Sequence, residues 1–112
     1  MNMNVVEVDG GITHVVLDGR LDIMGAQEID LKFNILASTK NKLIVDLEKV
    51  SFLASMGVRT LMLGAKTVAR KRGRMVVCGA DENVEKVLRM TGFDEVVDID
   101  PDYPAALAAL SG

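Results

Sequence analysis

This chain has one cysteine, Cys78, and one histidine, His14, in 112 residues. A lone cysteine excludes an intramolecular disulfide and fits a reducing, cytosolic setting. Its surroundings, "MVVCGA", are apolar and strand-like, where a single thiol acts as a small core residue. His14 stands in "ITHVVL" with no second histidine or cysteine near it, so neither a metal site nor a nucleophilic dyad is expected. Asp22, Asp46 and Glu48 read as single carboxylates without evident partners, and no glycine-rich loop followed by lysine is present. Catalysis is therefore not expected, and no cofactor is called for.

Positive charge is also scarce. A net charge of −3 argues against direct nucleic-acid binding, which needs a basic surface. The basic cluster "RKRGR", Arg70 to Arg74, falls at the end of a predicted helix, where cations complement the helix dipole. No apolar run approaches the roughly 20 residues of a membrane span. The start, "MNMNVVEVDG", lacks the basic-then-apolar pattern of a signal peptide. No linker or repeat breaks the chain, so residues 1–112 are expected to form a single soluble, cytoplasmic domain.

Apolar residues make up 49%, enough for a packed core. Two β-branched runs, "NVVEVDGG" and "ITHVVLDG", are separated by Asp9-Gly10-Gly11, which predicts a hairpin. From Met24 the period becomes helical, with Ala26, Ile29, Phe33, Leu36 and Ala37 on one face. "KLIVDLEKV" is too short and too β-branched for a helix and predicts a central strand. A long helix follows from about Ser55 to Arg72, closed by Gly73. "RMVVCGA" predicts a strand, Asp81 a cap for a helix ending at Gly92, and "EVVDI" a last strand. Asp100-Pro101 then starts a terminal helix. The order β-β-α-β-α-β-α-β-α implies an α/β fold: a mixed, mostly parallel sheet of about five strands with four helices packed mainly on one face.

The stretch "FLASMGVRTL", Phe52 to Leu61, is where a strand hands over to a helix. Helix N-termini offer unpaired N–H groups and positive potential. Ser55 is expected to cap this helix by accepting a first-turn N–H. Gly57 is a poor helix former, so it is expected to serve a close backbone approach, to a partner or to a neighbouring loop. At 100° per residue the buried face is predicted to hold Val58, Leu61, Met62, Ala65 and Ala69. Met56 and Leu63 fall nearly opposite, beside Thr60 and Thr67, with Arg59 and Arg70 on the flank. Two apolar residues a heptad apart on an outer face suggest a contact surface. In the first helix, Met24, Leu31 and Ile35 likewise lie off the core face.

These segments resemble the STAS domain family, the anti-sigma factor antagonists (anti-anti-sigma factors) of bacterial partner switching. The resemblance covers nearly the whole chain. It rests on "VVLDGRLDIMGA", "LIVDLEKVSFLASMGVRTL", "GRMVVCGADENVEKVLRMTGFDEVV" and the alanine-rich terminal helix. It implies a regulatory, non-enzymatic module that binds an anti-sigma factor or serine kinase-like switch protein through the second helix's N-terminus. In the family the hydroxyl residue just before the motif's glycine is phosphorylated, and phosphorylation breaks the complex. Here Met56 occupies that position and Ala54 the family's aspartate position; Ser55 matches the neighbouring serine and Asp22 the family's acidic residue. The expected partner surface is therefore Asp22, Ser55, Met56, Gly57, Arg59, Thr60 and Leu63. Ser55 is expected to be at most a poor phosphate acceptor, its hydroxyl being occupied as a cap. Without phosphate the domain is expected to bind constitutively or to be controlled by its abundance. A homodimer through the first or second helix is a further expectation. The alternative is a sensory or scaffold STAS domain holding a nucleotide or other small ligand on Ser55 and the Gly57 amide.

Overall fold

The structure, a computed structural model, describes residues 1–111. Strand β1 (Asn2–Val8) turns into β2 (Ile12–Leu21) through Gly10 and Gly11, whose φ angles of 87° and 74° need residues without a β-carbon. Helix α1 (Ile23–Thr39), strand β3 (Lys42–Leu53), helix α2 (Ser55–Arg70), strand β4 (Arg74–Cys78) and helix α3 (Glu82–Met90) follow. A 3₁₀ turn (Phe93–Glu95), strand β5 (Asp98–Asp100) and helix α4 (Tyr103–Ser111) complete the fold. The sheet runs β1-β2-β3-β4-β5; β1 is antiparallel to β2, and every later pair is parallel.

Strand alternation divides the core in two. Val15, Leu17, Leu43, Val45, Leu47 and Val77 point to a layer of α1, α2 and α3, which contributes Ile29, Phe33, Leu61, Val68 and Leu88. Ile12, Ile44, Val76 and Cys78 point the other way, where α4 covers them with Ala106 and Leu110. Each fully buried aliphatic side chain of this kind stabilises the fold by about 1.5–3 kcal/mol before ordering costs. The expected sheet, with most helices on one face, is the observed one.

Four local expectations are corrected. β3 runs on to Leu53, because its last residues pair with Lys49↔Asp18 through Leu53↔Leu21 after β4 has ended. Helix α2 buries Gly57, Thr60, Gly64 and Val68 besides Val58, Leu61 and Ala65, whereas Ala69 is exposed and Met62 half-buried. The helix ends in a Schellman arrangement: the Gly73 N–H reaches the Val68 carbonyl at 3.0 Å and the Arg72 N–H reaches Ala69 at 2.9 Å. Arg72, with φ 63°, takes the left-handed place, and Gly73 instead allows Asn41 to pack closely. Finally, α4 starts after Asp102, whose carboxylate accepts the Ala105 N–H at 2.9 Å, rather than at Asp100-Pro101. Asp81 caps α3 as expected, through the Val84 N–H at 2.8 Å, and Gly92 closes it with φ 78°.

Candidate functional site

The C-terminal ends of β2 and β3 bring two helix starts together. Asp22 caps α1, its Oδ1 accepting the Gly25 N–H at 2.8 Å. That hydrogen bond holds the Asp22 carboxyl below the usual carboxylate range; partial burial opposes it, and the Arg20 guanidinium at 3.4 Å supports it. Arg20 also lies over the Phe52 ring, 4.4 Å from its centroid. One strand away, the Ala54 N–H donates to the Leu21 carbonyl at 3.0 Å, and α2 begins at the next residue.

Ala54, not Ser55, is the N-cap residue, and no side chain caps the helix. Ser55 is the first helical residue, and its exposed hydroxyl makes no hydrogen bond to the other described residues. The one-residue offset follows from β3 running to Leu53, which leaves only Ala54 in extended backbone at the junction. Met56 is 38% exposed and Leu63 46% exposed, both on the outer side of α2 with exposed Arg59 between them. They form one wall of a groove of about 310 Å³; Gln27 and Asp30 of α1 form the other.

Two residues expected on this surface, Gly57 and Thr60, are buried. Gly57 is buried, and a β-carbon there would sit 2.5 Å from the Leu21 carbonyl oxygen and 2.9 Å from Leu53 Cδ1. Its close approach is internal, to the end of β2. Its N–H is also taken, by the Ala54 carbonyl at 3.0 Å, so it is not an open anion contact for a small ligand. Thr60 is 6% exposed, and its hydroxyl donates to the Met56 carbonyl at 3.2 Å. It floors the groove, because α2 lies against α1 on that side and the helix-face prediction had no way to include a neighbouring helix.

A second polar group lies on the opposite face of the sheet. His14 Nε2 is 2.9 Å from Asp46 Oδ2, and the imidazole stacks on Tyr103 of α4 with ring centroids 4.1 Å apart. The other Asp46 oxygen accepts the Glu48 N–H at 3.0 Å. His14 and Asp46 are thus partners, contrary to their reading as isolated residues; 32 positions separate them, and only the β2–β3 register joins them. Cys78 lies on this face too. Burial, with Asp46 and Asp100 adding to it, pushes its thiol up to about 12, which suits a core residue and not a nucleophile. Among the described residues, no three histidine, cysteine or acidic side chains could hold a metal ion, and no helix is long and apolar enough to cross a membrane.

Comparison with known proteins agrees with this fold. BtrV of Bordetella bronchiseptica, described as an anti-sigma factor antagonist, is 23% identical over 110 residues, covering 97% of this chain and 94% of BtrV. A Thermotoga maritima protein described in the same terms superposes with a TM-score of 0.90 at 20% identity, covering 98% of this chain and 95% of its own. The Bacillus cell fate determinant SpoIIAA, in its phosphorylated form, gives a TM-score of 0.74 at 19% identity, covering 96% and 98%. The family model for the STAS domain matches residues 4–106, and the chain belongs to the STAS domain family.

Proposed function

We propose that this STAS domain is an anti-sigma factor antagonist, a non-enzymatic module that engages an anti-sigma factor or serine kinase-like switch protein through the start of α2. The observation that carries the reading is the combination of exposed Met56 and Leu63 with a free Ser55 hydroxyl around that helix start. An apolar side chain buried at such an interface contributes about 1.5–3 kcal/mol before ordering costs. Arg59 and Asp22 supply charge at its rim, where it sets register and encounter rate more than affinity.

Met56 has no hydroxyl, so phosphate cannot be carried at the position that the family pattern uses. Ser55 can carry it. Its hydroxyl points to solvent at the positive end of a 16-residue helix, where a phosphate is electrostatically welcome. A dianion beside Met56 would then oppose apolar contact with the partner. In this reading Ser55 is the switch residue and Met56 the contact that it controls. BtrV and the Thermotoga maritima protein, both described as anti-sigma factor antagonists, support the anti-sigma assignment.

The test is a binding titration of purified protein against anti-sigma factors with a kinase fold from bacterial genomes that encode this chain, with and without ATP. Saturable binding to one of them, weakened after phosphate transfer, is the expected result. No binding to any of them, together with saturable nucleotide binding by the chain alone, would move the assignment to a small-ligand sensor.

A further inference from the structure

Helix α1 carries a second apolar stripe, pointing straight away from the sheet. Met24 is 71% exposed, Leu31 74% and Ile35 53%, although α1 is long and well packed on its inner side. At 100° per residue these three side chains lie within about 40° of one another. Gln27 and Asp30 border the stripe on the side of α2. Glu28 and Lys32, both exposed, border it on the other side.

This arrangement is self-complementary. Consider a second copy laid antiparallel on the stripe, with the two-fold axis level with residue 30. Such an axis brings like flanks together, so the edge holding Glu28 and Lys32 meets the same edge of the other copy. With 1.5 Å of rise per residue, Glu28 of each copy falls level with Lys32 of its mate. Both reciprocal pairs are of opposite sign. In the same register the two Leu31 side chains sit side by side, and Met24 of each copy is within about 1.5 Å of the height of Ile35 in the other. Lys32 makes no ion pair among the described residues, and Glu28 uses Oε1 for the Met1 amine at 3.0 Å, leaving its second oxygen.

We propose that the chain self-associates through α1 as an antiparallel two-fold dimer, with Leu31 at its centre and reciprocal Glu28–Lys32 pairs at its edge. One helix stripe buries less than the roughly 1,200 Å² of a standard interface, so the dimer is weak and concentration-dependent.

Sedimentation equilibrium from micromolar to millimolar protein tests it, with circular dichroism to verify the fold of each variant. Wild type is expected to pass from monomer to dimer within that range. Leu31→Arg, on a solvent-facing site, should weaken the dimer at least about tenfold by placing two like charges at the centre. Glu28→Lys and Lys32→Glu should each weaken it about two- to tenfold, and the double variant, which restores opposite signs, should return to wild-type association. A monomer throughout the range would overturn the proposal. So would a dimer indifferent to Leu31→Arg, or a double variant no better than the single ones.

Discussion

The carbonyl oxygen of Leu21 lies 2.5 Å from where a β-carbon on Gly57 would stand, so the end of β2 and the first turn of α2 are fitted to each other through a missing side chain. The clash would be with backbone, and Leu53 closes the other side. Gly57→Ala should therefore destabilise the fold by about 1–3 kcal/mol, even though alanine is the better helix former. Chemical denaturation checks this. A stability gain would show that the two elements can separate without cost.

Asp22 gives a pH dependence with a definite sign. Its carboxyl is held below its ordinary value in the folded chain, chiefly by the Gly25 N–H. A lowered folded pKa means that the cap's contribution is present above the unfolded pKa, about 3.9, and is lost as pH falls through the folded value. Asp22→Ala should lower the melting midpoint at neutral pH, and the gap to wild type should close as both are acidified below about pH 4. A gap that persists unchanged into strong acid would contradict the capping role.

On the far face of the sheet, Asp46 ties His14 and the Glu48 N–H together under α4. Asp46→Ala leaves both groups without their acceptor and should cost about 1–3 kcal/mol. Partner affinity of the folded fraction should be unchanged, because α1 and α2 lie across the sheet. Loss of affinity with stability intact would place the functional surface on the α4 side.

Phosphate transfer is expected at residue 55 alone. Ser55 is exposed and unbonded, whereas Thr60 is buried with its hydroxyl committed to Met56. Intact-mass and fragment-mass measurements after incubation with the partner kinase and ATP should find one phosphate on Ser55, and none on Ser55→Ala. A phosphate on any other residue, or none on wild type, would remove the proposed switch.

The architecture was legible because its signals are local. Gly10 and Gly11 mark the hairpin, Asp81 and Gly92 bracket α3, and uninterrupted apolar runs mark β3 and β4. The errors came where neighbouring elements decide. Ser55 carries the chemistry of a cap, yet the length of β3 shifts that role to Ala54. Thr60 sits beside the predicted outer face, yet α1 covers it. The His14–Asp46 pair depends on a strand register that neither residue's surroundings in sequence disclose.

In the proposed function an apolar contact at the start of α2 holds the partner, and Met56→Asp puts a charge in that contact. The first turn of a helix tolerates an acidic residue, so circular dichroism and thermal midpoint should stay close to wild type. Calorimetric affinity for the anti-sigma partner should fall at least about tenfold, as truncation or charging of a central contact does. A folded Met56→Asp protein that binds its partner as tightly as wild type would show that Met56 is not part of the partner contact.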